Sequence, residues 1–216
     1  MSIEIPKSAT IYSPLILRFG YDAWVLGVSN HLAWKAPTAL LRRFFVSNAH
    51  SDHLEAGSGT GYFPDRCRFP GGKPRITLLD VNPHCLAQAS HRLARYGPRT
   101  VLADITKPLP LDRGSFGSIH LGFLLHCLSG PMAAKGSVLD NLAPLLRPDG
   151  VLFGTTLLPD GGNSFARLLT KAYNRKGIFG NLGDTLEGLR NELCARFPVV
   201  TVERVGQVAL FTGRMA

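Results

Sequence analysis

The sequence predicts an α/β fold with a doubly wound sheet of seven strands and helices on both faces. Apolar, strand-like segments alternate five times with helical segments, which is typical of a parallel sheet covered on both sides. The chain then closes with two further strand-like segments, 199–205 and 208–212, around Gly206-Gln207. This arrangement predicts a C-terminal antiparallel hairpin on a mostly parallel sheet.

Length and composition favour one globular domain. The chain has 216 residues, of which 45% are hydrophobic and 18% charged. We expect residues 1–36 to form an N-terminal lid or cap and residues 37–216 to form the main domain. No apolar run of about 18 residues and no signal-peptide pattern is visible, so a cytoplasmic protein without a membrane span is expected. The four cysteines are widely spaced, which favours free thiols over disulfides or a zinc site, and no metal site is predicted.

The net charge of +9 raises the question of a nucleic-acid partner. The basic residues are scattered over several predicted elements and do not form a run interleaved with aromatic residues. A solvated basic surface, or attraction for an anionic small substrate, is therefore favoured over nucleic-acid binding. The expected assembly is a monomer or a homodimer.

The first helix and strand lead into a glycine-rich turn. Pro37 suits the first turn of a helix, so a helix is predicted over residues 37–45. A short strand is predicted at residues 51–56. The next helix is expected to begin near Gly61 and to end near Phe69, before Pro-Gly-Gly.

The second and third strands flank an amphipathic helix. Residues 75–81 are apolar on both faces, as expected of a buried parallel strand. Residues 83–96 carry apolar side chains at helical spacing, and Gly97-Pro98 stops that helix. Strand three covers residues 100–103.

Strand four is predicted at 116–121, and a loop or helical turn follows it. Residues 131–146 place apolar side chains on one helical face. A turn at 147–150 then leads into strand five at 151–158. A basic helix is predicted at residues 163–175 and a further helix at 185–197. Between them, residues 176–184 are predicted to form a long polar turn that could close over the cleft.

The glycine-rich turn carries the clearest functional signal. Glycine permits positive φ and lets a ligand approach the backbone, and the following helix N-terminus presents free N–H groups. The spacing differs from the Gly-x-Gly-x-x-Gly pattern of dinucleotide sites, and the carboxylate beside the turn suits a cation better than a phosphate. The candidate residues of this motif are Glu55, Gly57, Ser58, Gly59, Thr60 and Gly61.

Further candidates follow the next strands. Asp80 ends strand two, where an acidic residue commonly accepts hydrogen bonds from ribose hydroxyls. Asp104 follows strand three; a helix cap or a turn is its alternative role. Because ligands of open α/β sheets bind at the carboxyl ends of the strands, these residues are expected to share one crevice.

The spacing Glu55-x-Gly57-x-Gly59-x-Gly61 resembles the first motif of the class I S-adenosylmethionine-dependent methyltransferases. The resemblance implies a Rossmann-like fold, S-adenosylmethionine as cofactor and S-adenosylhomocysteine as product. It also implies that Asp104 receives the adenine amino group and that the next backbone N–H reaches a ring nitrogen. Besides the motif residues, the cofactor-binding set comprises Asp80, Val81, Asn82, Asp104, Ile105, Leu121, Tyr21 and Trp34.

The sequence departs from the family pattern at three positions. Gly117 stands where an aspartate is usual, Gly122 stands where a small polar residue is usual, and Asp149 replaces a glycine after the fourth helix. The first two departures remove side chains that sometimes help the chemistry. A cofactor-binding homologue that no longer transfers methyl groups therefore stays an alternative.

The implied reaction is an in-line transfer of a methyl group, and a base is needed only if the nucleophile arrives protonated. His126 falls where many small-molecule methyltransferases carry histidine, although a structural histidine is the alternative. Aromatic rings near the N-terminus, at Tyr12, Tyr21, Trp24 and Trp34, would line a pocket and stabilise a sulfonium, or else belong to a packed cap. The candidate bases are His126, Tyr21, His31, His120 and Asp22.

Softer features are similar to small stand-alone methyltransferases of natural-product pathways. These are the aromatic N-terminal segment, His126 and Ile178-Phe179-Gly180-Asn181. No Asn-Pro-Pro-Tyr-type motif follows strand four to hold a flipped base. The expected acceptor is therefore a small molecule of secondary metabolism that receives the methyl group on an O, N or C nucleophile. The alternative acceptor is RNA or protein.

Overall fold

The structure is a computed structural model that describes residues 33–216. Seven strands and six α-helices alternate along this part of the chain, with short 3₁₀ turns between some of them. The strands are β1 (Asp52–Ala56), β2 (Arg75–Asp80), β3 (Arg99–Leu102), β4 (Phe116–Gly122), β5 (Leu146–Leu157), β6 (Val199–Val205) and β7 (Val208–Arg214). The helices are α1 (Thr38–Asn48), α2 (Tyr62–Asp65), α3 (Pro83–Arg92), α4 (Met132–Leu142), α5 (Ser164–Arg175) and α6 (Leu186–Cys194).

The strands form one sheet in the order β3-β2-β1-β4-β5-β7-β6. The first five are parallel, while β7 runs antiparallel to both β5 and β6. The predicted seven-stranded, mostly parallel sheet with a C-terminal hairpin is confirmed. The chain moves outward from β1 to β3 and then returns to pair β4 with β1. This reversal of strand order opens a crevice at the carboxyl ends of β1 and β4.

Two apolar cores cover the two faces of the sheet, because neighbouring residues of a strand point to opposite sides. Leu54 of β1 belongs to the core that includes α4 and α6. Phe45 of α1 and Phe153 of β5 belong to the other core. Neighbouring residues of β1 therefore point into different cores, and both faces of the strand are buried.

Several helices end earlier than the sequence predicts. Helix α2 is a single turn, so the expected extension to Phe69 is wrong. The chain leaves the helix at Arg66, and Phe69 instead packs edge-on against Phe45, with ring centroids 6.3 Å apart. The helices α3 and α4 each end near a 3₁₀ turn, at Ala94–Tyr96 and Ala143–Leu145.

Strand β5 begins at Leu146 rather than at Val151. Leu146 pairs with Phe116, and the register then shifts before Val151 pairs with Ser118. Residues 147–150, predicted as a turn before the strand, instead lie within β5 at this irregularity.

The last residues of the predicted lid, 33–36, are part of the folded domain. Ala33, Trp34 and Ala36 are buried in the core shared with α1. The candidates Tyr12, Tyr21, Asp22, Trp24 and His31 lie outside the described residues. Across residues 33–216, the helices are too short or too polar to cross a bilayer. All four cysteines are free thiols.

Candidate functional site: a glycine turn at the carboxyl edge of the sheet

The turn after β1 has the backbone that its sequence predicts. Gly57, Gly59 and Gly61 all adopt positive φ, at 78°, 48° and 70°. A Cβ added to Gly61 would lie 3.2 Å from the backbone of α3 at Ala89, whereas a Cβ on Gly59 would meet nothing within 4 Å. Gly61 is therefore required by packing, while Gly59 borders open space where a ligand can approach the chain.

Asp80, at the end of β2, ties this turn to the neighbouring strand. Its Oδ2 accepts hydrogen bonds from Gly59 N and from Ser58 Oγ, both at 3.3 Å, and its Oδ1 accepts one from Asn82 N at 2.9 Å. Burial raises the pKa of this carboxyl, and the bonds from Asn82, Gly59 and Ser58 oppose that rise. The structure thus brings together the candidates of the first two strands.

Other predicted residues take part in local structure. The side chain of Asn82 accepts a bond from His84 N at 2.9 Å and caps α3, next to the partly buried Val81. Thr60 Oγ1 accepts a bond from Arg92 at 3.0 Å.

The half-buried Asp104 follows β3 and forms a turn of the kind that was its alternative role. Its Oδ1 accepts bonds from Thr106 N and Thr106 Oγ1, at 2.9 and 2.8 Å. Ile105 is buried, and its carbonyl accepts a bond from Asn141. Asp104 follows the strand next to β2, while its contact with a cofactor stays a prediction.

The end of β4 carries a strained backbone. Phe123 is a non-glycine residue with φ of 54°, and its N–H is held by the carbonyl of Thr155 at 2.9 Å. Such conformations are uncommon outside glycine and cluster at functional sites. Leu121 is buried in the core, so a ligand at this edge would meet its backbone rather than its side chain.

His126 lies inside the protein, in a 3₁₀ turn after β4. Its Nδ1 accepts a hydrogen bond from Leu157 N at 3.4 Å, and its ring stands edge-on to Phe179 with centroids 4.5 Å apart. Burial and the positive charge of Lys135 lower its pKa to about 3. The ring is therefore neutral at physiological pH, and its catalytic role stays a prediction.

The polar segment 176–184 is anchored to the end of β5 and to the 3₁₀ turn after β4. Asn181 is buried, donates to the carbonyl of Leu157 at 2.9 Å and exchanges bonds with Asn174. Phe179 stands between Trp34, at 6.4 Å, and Tyr173, at 4.9 Å between ring centroids. Trp34 is buried in this aromatic group, and its predicted contact with a cofactor stays a prediction.

Glu55 is engaged by two histidines in the core. Its Oε1 lies 2.8 Å from His120 Nδ1, and its Oε2 lies 3.0 Å from His53 Nε2. Burial raises the pKa of Glu55, but the charge and hydrogen bonds of the histidines outweigh burial and hold the pKa below its usual value. The carboxylate therefore points into the buried core, and its direct contact with a cofactor stays a prediction.

Sequence reasoning missed one buried ion pair. Lys135 of α4 donates to Asp184 Oδ2 at 2.6 Å and to the carbonyl of Gly180 at 3.0 Å. The signal was available, because Lys135 follows Met132 by three residues and precedes Leu139 by four, on the apolar face of the helix.

Comparison with known proteins identifies the family to which the fold belongs. A family model described as "Methyltransferase domain" matches residues 54–152, which run from within β1 to within β5 and include the glycine turn. The chain is 40% identical over 209 residues to the "Physcion biosynthesis cluster O-methyltransferase" of Aspergillus chevalieri, covering 95% of this chain and 93% of that one. The chain belongs to the S-adenosylmethionine-dependent methyltransferases. This methyltransferase is also 38% identical to the "Demethylluteothin O-methyltransferase" of Streptomyces thioluteus, covering 88% of this chain and 84% of the relative.

A solved structure with bound SAH shares the fold. The complex titled "DhpI-SAH complex structure" superposes with a TM-score of 0.68 at 18% identity, over 96% of this chain and 95% of that one. The open space beside Gly59 and the acceptor oxygens of Asp80 fit a nucleoside cofactor on this methyltransferase.

Proposed function

We propose that this methyltransferase transfers a methyl group from S-adenosylmethionine to a hydroxyl oxygen of a small molecule. The observation that carries the proposal is the Asp80 carboxylate, which accepts the N–H of Gly59 at the edge where β1 and β2 end. The choice of oxygen is supported by the two relatives named as O-methyltransferases.

Several residues would hold the cofactor. The turn Gly57–Gly61 offers bare backbone, Asp80 offers lone pairs to ribose hydroxyls, and Asp104 with Ile105 would receive the adenine. Bound S-adenosylmethionine supplies a methyl group on a positively charged sulfur. The buried Asp80 and the hydrogen bonds that it accepts keep this edge fixed before the ligand arrives, so little ordering is needed on binding.

The acceptor is proposed to lie against the aromatic side chains that follow β4 and β5. Phe123, Tyr173 and Phe179 are partly buried and pack on the core shared with α1. Aromatic walls with few polar groups are typical of small-molecule sites. By holding the acceptor oxygen in line with the methyl group, they would supply much of the rate acceleration through positioning.

A phenolic or enolic hydroxyl must lose its proton, and a base near the acceptor would assist. His126 is a weak proton acceptor because its pKa is lowered to about 3. We therefore assign proton removal to Tyr21 or His31 of the proposed N-terminal lid, residues 1–36, and give His126 the role of a neutral hydrogen-bonding group. The proposed setting is the cytoplasm, supported by the four free thiols, with the enzyme acting as a monomer or homodimer.

The proposal is tested with methyl-labelled S-adenosylmethionine and a panel of phenols, enols, amines and carboxylic acids. We expect equal amounts of S-adenosylhomocysteine and an O-methylated product from at least one hydroxylated acceptor, detected by mass spectrometry. An exclusive N- or C-methylated product would overturn the choice of oxygen.

The same assay, with RNA and protein added to the panel of acceptors, separates the alternatives. Cofactor binding without S-adenosylhomocysteine from any acceptor would favour a homologue that does not transfer methyl groups. Labelling of RNA that falls steeply with salt would favour the nucleic-acid acceptor, since salt weakens phosphate contacts.

A further inference from the structure

A buried chain of hydrogen bonds runs from β4 to the glycine turn. Ser118 Oγ accepts from His50 N at 2.9 Å and pairs with His53 Nδ1 at 2.8 Å, and His53 Nε2 faces Glu55 at 3.0 Å. If the Ser118 hydroxyl donates to Nδ1, the proton of His53 lies on Nε2 and is donated to Glu55. This arrangement satisfies each group with a neutral His53, and burial lowers the pKa of that ring.

His120 completes the cluster from the other side. Its Nδ1 lies 2.8 Å from Glu55 Oε1, and the backbone pairs Glu55 with His120 across the β1–β4 junction. The ring packs among uncharged aromatic rings, with Phe45 and Phe153 at 4.8 Å and Phe63 at 5.7 Å between centroids. The other titratable groups that act on this cluster are His50, His53 and the thiol of Cys67.

His120 also explains why Gly122 replaces the usual small polar residue. A Cβ on Gly122 would lie 2.6 Å from Cε1 of the His120 ring, which real side chains do not tolerate. Gly117 shows the same relationship to another ring, since its Cβ would lie 2.9 Å from His50 Nδ1. The two departures from the family pattern therefore make room for the rings of His120 and His50.

The two contacts of His120 connect it to the ends of two neighbouring strands, β1 and β4. Through Glu55 it meets the end of β1, just before the glycine turn, and through Gly122 it meets the end of β4, just before the strained Phe123. We propose that His120 is a positioning residue that fixes the glycine turn after β1 and the backbone turn after β4 relative to each other. The inference rests on cofactor binding at the glycine turn.

The first test is a double-mutant cycle on the free protein. Gly122→Ser alone places a side chain against the His120 ring and is expected to lower the unfolding midpoint strongly. His120→Asn keeps an N–H near the position of Nδ1 but removes the distal ring atoms that block residue 122. We expect the double variant His120→Asn/Gly122→Ser to be more stable than Gly122→Ser alone. Purely additive effects would overturn the proposed packing link.

The second test is the pH dependence of cofactor affinity, measured by calorimetry with S-adenosylmethionine and with S-adenosylhomocysteine. His120→Phe keeps an aromatic ring but removes the N–H, so burial raises the pKa of Glu55 with only His53 to oppose it. We expect His120→Phe to bind both ligands about tenfold more weakly than wild type at pH 8, with a loss that grows further at pH 6 as Glu55 takes up a proton. His120→Asn is expected to stay close to wild type at both pH values.

An equal loss at both pH values, or equal behaviour of the Asn and Phe variants, would overturn the positioning role. Asp149→Asn, an exposed carboxylate at the opposite end of β5, is the charge control and is expected to bind like wild type. Failure of the wild-type protein to bind either ligand would instead refute the cofactor assignment, and the stability cycle would still decide the His120–Gly122 link.

Discussion

Lys135 Nζ lies 2.6 Å from Asp184 Oδ2, and both side chains are at most 1% exposed. The pair joins α4 to the segment 176–184, which also holds His126 through the bond from Gly180 N to the His126 carbonyl. Burial lowers the pKa of Lys135 and raises that of Asp184, and the ion pair opposes both shifts. The polar turn predicted to close over a cleft is therefore fixed to the core at its distal end.

Breaking this pair on one side is expected to be costly. Asp184→Ala leaves a buried ammonium without its partner and should lower the free energy of unfolding by about 3–5 kcal/mol. The double variant Lys135→Met/Asp184→Leu removes both charges and should recover most of that loss. Urea unfolding at pH 7 measures both values, and a single-variant loss below about 1 kcal/mol would contradict the prediction.

His126 is expected to make the fold sensitive to acid. Its folded pKa of about 3 lies below the unfolded value of about 6.5, so the unfolded state binds more protons as the pH falls between these values. The unfolding free energy should lose about 2 kcal/mol between pH 7 and pH 5 from this group alone.

His126→Asn retains an acceptor for Leu157 N but cannot titrate in this range. Its unfolding free energy should therefore fall about 2 kcal/mol less than that of wild type between pH 7 and pH 5. His84→Gln, at an exposed position, serves as the control and should follow wild type. Parallel curves for His126→Asn and wild type would show that the buried ring is not the acid-sensitive group.

Asp80→Asn is expected to weaken cofactor binding. The amide turns one acceptor oxygen into a donor, which faces either Gly59 N or Asn82 N, and it removes a charge-assisted acceptor for the ligand. The dissociation constant for S-adenosylhomocysteine should rise about 10- to 100-fold in calorimetry. Asp112→Asn, at an exposed position, is the control, and an unchanged constant in Asp80→Asn would argue against a ligand at this carboxylate.

Substitutions of two turn glycines should separate the effect on protein stability from the effect on cofactor binding. Gly61→Ala combines positive φ with a Cβ 3.2 Å from the Ala89 backbone, so we expect a loss of about 2–4 kcal/mol in unfolding free energy. Gly59→Ala meets open space and should cost only about 1 kcal/mol while weakening cofactor binding. Equal stability losses in the two variants would refute this division.

Much of the fold was predictable because each element has its own local signal. Strand β2 is apolar on both faces. Gly97, in the left-handed conformation, ends the helical segment that follows α3. Gly206-Gln207 form the turn of the C-terminal hairpin. The length of α2 was not predictable, since Phe69 leaves the helical path to pack against Phe45. That contact depends on tertiary packing rather than on local propensity.

The site was predictable in its backbone and less so in its side chains. Asp80 was found because an acidic residue ending a strand is a local pattern. The partners of Glu55 were harder, since His120 is far away in sequence and pairs with it only after β4 lies beside β1. His53 offered a usable clue, because residues two apart on a strand share a face.

The order of the strands has a practical consequence for recombining enzymes of this family. Most candidate nucleoside contacts follow β1, β2 and β3, whereas the aromatic wall comes from residues after β4. A crossover in the connection between β3 and β4 would exchange β4 and everything after it, including the aromatic wall, as a block. Chimeras made there are expected to keep their cofactor and acquire a new acceptor range, provided that the incoming fourth strand brings both a histidine for Glu55 and a glycine two residues later.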